Sequence, residues 1–363
     1  MKKLPIIFLC LSLLFLSACG TQTAGVPEAP GDALRTVTDA CGRQVALPKE
    51  VTSVVCVGVG ALRYTVYLQA QDLVVGVEQG EQKATIAKPF SYFNRELFSA
   101  LPVTGDNGTT YDEDILRLAP DVIVAYLDAD AADALQSRTG IPVVAIPLNE
   151  GMFDEAALAT LSLLGEVYHR EDRAKALRDY LLAAREDLDA RTRDIPEADK
   201  PEVYVAGVSY KGAHGFEGTE AGYPPLAAIH ARNLADRTGQ SGPFSIDTEQ
   251  VLQWDPDVIF LDWNGMGLVQ ENYAVNPGFY NSLSAVEAGR LYAQISFRSS
   301  ATNAELALAD AYYAGTVLYP EQFADIDPAE KFDEIFQTLL GVENAYSQYA
   351  AQGYTFTELK LGE

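Results

Sequence analysis

The sequence predicts an α/β protein built from two Rossmann-like lobes with parallel sheets, which one long α-helix joins. Three observations predict this fold. An amphipathic pattern without Gly or Pro covers residues 172–193, near the middle of the chain. Residues 112–124, before this pattern, are echoed without a gap by residues 248–260, after it. A length of 363 residues suits two α/β domains better than one.

The central pattern has the period of an α-helix. Its apolar residues recur at helical spacing, at Leu177, Tyr180, Leu181, Ala184 and Leu188. Asp172 can serve as the N-cap, and Pro196 prevents continuation at the other end. At about 1.5 Å per residue, roughly 22 residues give a helix about 33 Å long, comparable to the diameter of a small domain. We therefore expect this helix to connect the lobes without contacting ligand.

Both copies of the repeated segment predict the same αβ unit. The first has the sequence DEDILRLAPDVIV and the second has TEQVLQWDPDVIF. Each predicts an acidic helix start, two helical turns, a break at Pro-Asp and a buried strand. Such units occur in any α/β protein, but a gapless repeat on either side of the helix favours two similar lobes.

The N-terminus predicts an exported lipoprotein. Lys2 and Lys3 precede an apolar run, which at about 13 residues is too short to span a bilayer comfortably. Residues 16–19, Leu-Ser-Ala-Cys, resemble the bacterial lipobox, in which the cysteine is lipidated; in an ordinary signal peptide Cys19 would be incidental. The predicted domains are a lipoprotein signal peptide at 1–19, a flexible tether at 20–34, an N-terminal α/β lobe at 35–153, linking helices at 154–196 and a C-terminal α/β lobe at 197–363.

Composition restricts the partners and the location. The formal net charge is -25, from 26 basic and 51 acidic residues, which argues against non-specific binding to nucleic acid or anionic lipid. We expect a monomer that a lipid anchor holds to the outer face of the cytoplasmic membrane, or to its periplasmic face in a cell with two membranes. Export permits a disulfide between Cys41 and Cys56, but the apolar run around Cys56 also suits a buried free thiol. The pairing stays open.

The remaining elements follow in order along the chain. A β-hairpin is predicted over residues 35–47, and a buried strand over 51–57 leads through Gly58-Val59-Gly60 into a helix over 61–70. Further strands are predicted at 73–77, 121–125, 142–146, 203–208, 258–261 and 291–295, and further helices at 112–118, 131–139, 153–168, 224–231, 249–254, 278–287, 302–318 and 328–340. Alternating strands and helices are typical of parallel sheets.

Ligands of open parallel sheets bind beyond the carboxyl ends of the strands. In this chain those ends carry aromatic and cationic side chains. The candidate ligand-binding residues are Arg63, Tyr64, Tyr126, Tyr210, Lys211, His214, Trp263 and Arg298. Aromatic faces and positive charges at two facing edges suit a bulky, partly anionic ligand that is flat or chelated.

Most of residues 35–340 resemble the substrate-binding lipoproteins of ABC importers that take up iron complexes, haem and cobalamin. The resemblance is carried by residues 39–45 (DACGRQV), 119–123 (APDVI), 208–215 (VSYKGAHG), 302–303 (TN) and 309–313 (ADAYY). It implies two α/β lobes joined by one long helix, a ligand between the lobes, and delivery to a permease with its ATPase subunits. One connecting helix also predicts limited closure of the lobes and a cleft largely formed before ligand arrives.

In this family one glutamate on the upper surface of each lobe pairs with arginines of the permease. The matching positions are Glu113 and Glu249, both in the first turn of the repeated helix. An acidic residue there also stabilises the helix dipole, so a structural role is the alternative. Residues 296–301 depart from the aromatic-rich stretch of some relatives, and Arg298 in that segment favours an anionic group on the ligand.

The favoured ligand is a metal that arrives already chelated, as a ferric siderophore, haem or a corrinoid, and no intrinsic cofactor is expected. A bare zinc or manganese ion would need several His and carboxylates from both lobes. The chain has three His, at positions 169, 214 and 230, and none lies in the first lobe. For haem, Tyr210 or His214 could supply an axial ligand; whether a side chain coordinates the metal directly stays open.

Three alternatives follow from the same residues. A metal oxyanion such as tungstate or molybdate could bind to loop amides and hydroxyls. Catalysis by Ser209 near His214 lacks a Gly-x-Ser-x-Gly elbow and an orienting acid at a recognisable spacing, so we do not expect an enzyme. A surface adhesin could use the same fold without taking part in uptake.

Overall fold

The computed structural model describes residues 34–148 and 151–362. The predicted signal peptide with its lipidation site Cys19, and the predicted tether up to residue 33, lie outside the described residues and stay predictions. Leu34, which the sequence assigned to the tether, is instead the first residue of a strand. No helix in the described part of the chain is long and apolar enough to cross a membrane.

The first half of the chain folds around a six-stranded sheet. A hairpin precedes it, formed by β1 (Leu34–Thr38) and β2 (Gln44–Pro48). The strands of the sheet are β3 (Val54–Val57), β4 (Val74–Glu78), β5 (Val103–Asp106), β6 (Thr109–Thr110), β7 (Val122–Tyr126) and β8 (Val143–Ile146). The helices are α1 (Ala61–Tyr67), α2 (Gln79–Gln82), α3 (Pro89–Tyr92), α4 (Arg95–Ser99), α5 (Asp112–Leu118) and α6 (Ala129–Thr139). The strand order is β6-β5-β4-β3-β7-β8, and every pairing except that of β6 is parallel.

Two antiparallel helices follow, α7 (Glu155–Tyr168) and α8 (Glu171–Thr192). The long helix α8 buries one stripe of side chains at helical spacing: Ala174, Leu177, Leu181, Ala184, Leu188 and Thr192. Asp172 was expected to be its N-cap. It lies instead in the first turn, because α7 ends at His169 in a left-handed conformation and the chain enters α8 after one further residue, Arg170.

The second half folds around a five-stranded sheet. Its strands and those of a separate antiparallel pair are β9 (Glu202–Ala206), β10 (Gly218–Ala221), β11 (Arg232–Asn233), β12 (Gly242–Ser245), β13 (Val258–Asp262), β14 (Leu291–Gln294) and β15 (Thr357–Glu358). The helices are α9 (Pro224–Ala228), α10 (Thr248–Trp254), α11 (Met266–Val275), α12 (Pro277–Asn281), α13 (Ser284–Glu287), α14 (Ala304–Leu318), α15 (Pro328–Leu340) and α16 (Ala345–Ala350). The sheet order is β11-β9-β13-β14-β15, parallel except for β15, and β10 pairs with β12 outside it. Two sheets rich in parallel pairs confirm the predicted α/β class.

The two copies of the repeated segment form the same structural unit. α5 ends at Ala119 and α10 at Asp255, both with φ near +46° (47° and 46°). After the Pro-Asp break, the backbone N–H of Asp121 donates to the carbonyl oxygen of Ser53, just before β3, and that of Asp257 donates to the carbonyl oxygen of Glu202, the first residue of β9. These bonds begin the parallel pairing of β7 with β3 and of β13 with β9. The sequence repeat is therefore a repeat of structure.

One predicted helix was wrong in form. The segment 278–287 is not a single helix but the two short helices α12 and α13. The Asp255 carboxylate accepts hydrogen bonds from the backbone N–H of Ser284 (2.8 Å) and from its hydroxyl (2.6 Å), which starts a new helix there. Sequence periodicity also missed the strands β5, β6, β10, β11, β12 and β15 and the helices α2, α3, α4, α11 and α16, because most of them are too short to show a period.

The core continues from one half to the other. One buried cluster contains residues of β3 and β7 in the first sheet, of β9 and β13 in the second, and of α7, α8, α14 and α15. The connection between the halves is thus made by packing and not by α8 alone. The predicted lobe boundaries at residues 153 and 196 stay a prediction.

Candidate ligand-binding site

A cavity of about 210 Å³ lies at the carboxyl ends of the first sheet. It is lined by Gly58, Val59, Gly60, Leu62, Arg63, Glu78, Gly80, Glu81, Lys88, Phe90, Asn107, Gly108, Tyr126 and Ser300. Ser300 comes from the second half of the chain, and the other residues come from the first. The position agrees with the rule for open parallel sheets, since the lining includes the residues that follow β3 and β4 and the last residue of β7.

Glycines supply much of the wall, and a glycine can line a cavity only with backbone atoms. Gly58 and Gly60, in the turn between β3 and α1, have φ of +74° and +89°, a region that side chains other than Gly rarely adopt. A Cβ on Gly58 would also lie 3.4 Å from the Cβ of Tyr126. The turn therefore needs glycine for its conformation, and Tyr126 packs directly against Gly58.

Arg63 is the most enclosed cation of the cavity, with 1% of its surface exposed. Its Nε donates to Asn303 Oδ1 (3.1 Å), and its Nη2 donates to the carbonyl oxygens of Ser299 (3.0 Å) and Ser300 (2.6 Å). The guanidinium also lies over the ring of Phe90, 5.0 Å from its centroid. Within the described ranges, Nη1 makes no hydrogen bond to protein. One N–H₂ group of a buried cation thus remains for a ligand.

The other charges of the cavity form two local arrangements. Lys88 Nζ lies 3.1 Å from Glu81 Oε1. Glu78 accepts a hydrogen bond from the backbone N–H of Gly108 (2.7 Å). Burial raises the pKa of Glu78, an effect that hydrogen bonds from the N–H groups of Gly108 and Gly58 oppose. Lys88 is therefore partly neutralised, whereas Arg63 meets only neutral acceptors.

Of the eight candidate ligand-binding residues, Arg63 and Tyr126 line this cavity. Tyr126 is 40% exposed and also borders a neighbouring groove of about 420 Å³. The residues of that groove are Ala40, Cys41, Tyr126, Leu127, Asp128, Ala131, Ile146 and Pro147. Tyr126 is thus the side chain shared by the two hollows.

Cys41 and Cys56 do not form the disulfide that export would permit. Both are free thiols, the first exposed and the second buried.

The other six candidates lie outside the lining of the cavity. Tyr64 is buried on α1, in edge contact with the ring of Tyr67. Trp263 donates its indole N–H to the Thr355 carbonyl (3.0 Å) and contacts the ring of Tyr354. Arg298 forms an ion pair with the buried carboxylate of Glu220 and donates to Thr302 Oγ1 (3.0 Å). Trp263 and Arg298 therefore already have protein partners.

Tyr210, Lys211 and His214 occupy the loop between β9 and β10. The rings of Tyr210 and His214 are stacked, with centroids 4.1 Å apart. The Tyr210 hydroxyl lies 2.9 Å from Ser245 Oγ, and Lys211 is exposed with φ of 49°. Their roles in binding stay predictions, because they lie away from the cavity lining.

The side chains of the cavity that sequence reasoning did not propose include Glu78, Glu81, Lys88 and Phe90. Glu78 lies at a strand end that the sequence had identified, but a carboxylate did not match the expected cationic surface. Glu81, Lys88 and Phe90 belong to the short helices α2 and α3 or to their flanks. No periodic signal marks such elements. The described part of the chain also contains no group of three or more His, Cys, Asp or Glu that could hold a metal ion.

The proposed docking glutamates lie on equivalent faces of the repeated unit. Glu113 and Glu249 are both exposed, in the first turns of α5 and α10. One turn further on, Leu116 is 46% exposed and Leu252 is 37% exposed. The two copies therefore present the same pair of side chains, an acid followed by a leucine three residues later, on one helix face each.

This fold defines the class of protein. A sequence model of the periplasmic binding protein family matches residues 66–294, more than half of the chain, and the chain belongs to that family. It is the exported, solute-binding component of an ABC transporter. Such components bind small ligands, work with permease and ATPase components, and are not enzymes.

Particular relatives show how widely the similarity extends. The molybdate-binding protein MolA of Haemophilus influenzae is 25% identical over 332 residues, which cover 84% of this chain and 90% of MolA. The structure of MolA bound to molybdate has a TM-score of 0.66 at 20% identity, covering 85% of this chain and 98% of that chain. A periplasmic solute binding protein from Veillonella parvula has a TM-score of 0.68 at 18% identity, covering 85% and 94%. For the heme binding protein HmuT the TM-score is 0.53 at 15% identity, covering 79% and 90%. These structural likenesses show a shared fold.

Proposed function

We propose that the solute is an anionic complex of a metal that arrives already chelated, such as a ferric siderophore, haem or a corrinoid. Its negative group would bind Arg63 inside the cavity, and its organic body would extend past Tyr126. The observation that carries this proposal is the position of Tyr126, which borders both the small cavity of Arg63 and the larger groove beside it.

The charge of Arg63 supports binding of an anion. Its three protein acceptors are neutral carbonyl or amide oxygens, so its positive charge is not cancelled by direct contact. Hydrogen bonds between charged groups in a buried site are stronger than neutral ones. An anionic oxygen at Nη1 would therefore gain both a hydrogen bond and the attraction of a poorly solvated charge.

The groove beyond Tyr126 supports a ligand with an organic body. Its lining is mainly apolar, through Ala40, Leu127, Ala131, Ile146 and Pro147. The cavity itself, at about 210 Å³, is smaller than the roughly 300–1,000 Å³ of pockets that enclose drug-sized ligands. A chelate would thus need both hollows.

The second candidate is a metal oxyanion of the molybdate or tungstate type. Two observations favour it. MolA, which is 25% identical along most of its length, carries the name of a molybdate-binding protein. The cavity is also small and is bordered by backbone atoms of Gly58, Gly60, Gly80 and Gly108, which suits a compact anion. Such a ligand would fill the cavity alone and leave the groove unused.

Calorimetric titration with five probes separates the candidates: a ferric tris-catechol complex, haemin, cyanocobalamin, molybdate and tungstate. The proposal expects binding of at least one chelate, weakened about 100-fold, or roughly 2.7 kcal/mol, by Arg63→Ala. Ile146→Ala enlarges the groove without touching Arg63 and should weaken a chelate but not an oxyanion. Binding of molybdate or tungstate alone would establish the second candidate, and binding of none of the five would reject both.

We further propose that Glu113 and Glu249 dock the permease. Their equivalent exposure, and that of Leu116 and Leu252 beside them, supports a partner that presents two similar surfaces. Replacing both glutamates by Ala should abolish uptake while ligand affinity is unchanged. Glu155→Ala is the matched control, because it removes an exposed acid from the first turn of α7. Normal uptake in the double variant would reject the docking role, and normal uptake in cells that lack the protein would instead favour an adhesin.

A further inference from the structure

Helix α1 contacts the second half of the chain through two side chains on one face. Arg63 and Tyr67 are four residues apart, so they project from the same side of the helix. Tyr67 donates its hydroxyl hydrogen to Glu305 Oε2 in a short hydrogen bond and accepts one from the backbone N–H of Ala304 (3.2 Å). Arg63 contacts the turn at Ser299 and Ser300, just before Ala304. The segment 299–305 is therefore held at both ends by one helix of the first half.

Asn303 joins these contacts into one network. Its Oδ1 accepts from Arg63 Nε, and its side-chain N–H₂ group donates to the carbonyl oxygens of Phe297 (3.0 Å) and Ser299 (3.2 Å). Between these anchors, Ser300 and Ala301 have φ of 53° and 65°. The left-handed conformation costs a non-glycine residue about 1–2 kcal/mol. The turn that presents Ser300 to the cavity thus depends on its surroundings to keep its shape.

Glu305 provides the anionic end of the network. Its side chain is fully buried, Oε2 accepts from Tyr67, and Oε1 has no hydrogen-bond partner in the described structure. A buried carboxylate without enough hydrogen bonds is costly unless a cation lies near. Burial raises the pKa of Glu305, and the Tyr67 hydrogen bond and the positive charge of Arg63 oppose that rise. The positive charge of Arg63 therefore favours the ionised form of Glu305.

We propose that Tyr67 and Glu305 are positioning residues for Arg63. They fix α1 against the segment 299–305. In that position Nε and Nη2 of Arg63 donate hydrogen bonds to protein oxygens, and the remaining N–H₂ group, Nη1, is directed to the ligand. This inference rests on the proposed function, since it assigns Nη1 to the anionic group of the solute. It also predicts that Arg63 cannot be replaced by Lys, whose single ammonium group cannot bond the turn and the ligand in the same planar geometry.

Hydrogen exchange measured by nuclear magnetic resonance tests the positioning of Arg63 without a ligand. The Nε–H of Arg63 is buried and bonded to Asn303, so its side-chain signal should exchange slowly with water in the wild-type protein. We expect Tyr67→Phe and Glu305→Gln each to speed this exchange at least 10-fold. Tyr168→Phe is the matched control, because it removes a buried tyrosine hydroxyl that bonds Thr65 on the same helix but has no contact with Arg63. Unchanged exchange in both test variants would overturn the inference.

A double-mutant cycle tests the consequence for binding. With molybdate and the ferric tris-catechol complex as probes, Tyr67→Phe and Glu305→Gln should each weaken binding about 10-fold in the wild-type background. In the Arg63→Lys background they should have no further effect, because their influence passes through Arg63. Equal losses in both backgrounds would indicate a merely structural role and contradict the inference. If the wild type binds neither probe, whichever of the other three probes binds replaces them in the cycle. If the wild type binds none of the five, the proposed function fails, and the exchange of Arg63 Nε–H alone decides the positioning.

Discussion

The last residue of the repeated strand is Tyr126 in the first copy and Asp262 in the second. Up to that point the two copies share their helix length, their left-handed helix end and their strand pairing. Tyr126 is 40% exposed and borders two hollows, whereas Asp262 is buried and accepts hydrogen bonds from Ser296 Oγ and from the backbone N–H of Asn264. The same framework thus ends in an exposed tyrosine beside two hollows in the first copy and in a buried polar cluster in the second.

Arg63 and Arg298, the two arginines predicted to bind ligand, also differ between the two halves. Arg63 lines the cavity and makes its hydrogen bonds to neutral oxygens, while Arg298 forms an ion pair with the buried carboxylate of Glu220. The comparison shows that two copies of one structural unit can differ in the side chains at their strand ends and in the partners of those side chains. In this protein the first half supplies most of the cavity lining, and the second half contributes Ser300.

The largest expected effect separates the two arginines. Arg298→Ala leaves the buried Glu220 carboxylate without its guanidinium, so the free energy of unfolding should fall by about 3–5 kcal/mol, as measured by urea denaturation. Ligand affinity should stay within about twofold, in contrast to the loss expected for Arg63→Ala. The double variant Glu220→Gln with Arg298→Met should recover much of the stability. A large loss of affinity in Arg298→Ala would show that the two arginines share the binding role.

The next largest expected effect is the dependence of the free energy of unfolding on pH. Burial raises the pKa of Asp262 to about 7, and the nearby Glu220 charge adds to that rise. Because the folded protein holds this proton more tightly than the unfolded chain, stability from Asp262 is present below about pH 4 and is lost as pH rises to about 7. Asp310, whose pKa is also raised by burial and by Asp262, adds a change of the same sign.

Urea denaturation between pH 4 and 8 measures this dependence. Asp262→Asn should flatten the decrease in stability, since an amide keeps the oxygen acceptor but does not titrate. Tyr126→Phe is the matched change in the first copy and should leave the pH profile unaltered. An unchanged slope in Asp262→Asn would show that the buried polar cluster does not hold a proton.

The smallest effect compares the starts of the repeated helices. The Asp247 side chain caps α10 by accepting from the backbone N–H of Glu249 (2.9 Å), whereas Tyr111 at the start of α5 offers no side-chain cap. Asp247→Ala should therefore lower the free energy of unfolding by about 1 kcal/mol. Tyr111→Ser should raise it by up to about 1 kcal/mol by adding a cap. Thermal unfolding of the two variants, with opposite shifts expected, checks the difference.

The regular framework was predictable from sequence. The long helix, the repeated unit and the parallel strands follow from apolar periodicity, Pro-Asp breaks and buried runs, which are local properties. The bounds of α5 and α15 agree with the predicted ranges residue for residue. The division of 278–287 into two helices was missed, because the capping carboxylate of Asp255 lies 29 residues away in sequence.

The candidate site was predictable only in part. Strand-end reasoning found Arg63 and Tyr126, which the structure places in the cavity lining, but it could not separate them from Arg298 or Trp263. What distinguishes these residues is their partners, and Glu220 lies 78 positions before Arg298 while Thr355 lies 92 positions after Trp263. Sequence spacing carries no information on such pairs.

By itself the sequence determined the α/β class, the repeat and the edge of the sheet where the cavity lies, because hydrophobic period and chain-breaking residues act over a few neighbouring positions. Only the tertiary structure decided which charges remain for a ligand. Arg63 reaches Asn303 across 240 positions, and its free Nη1 exists because that distant segment occupies its other donors. Charge pairing depends on which segments meet in space, and that is settled when the halves pack.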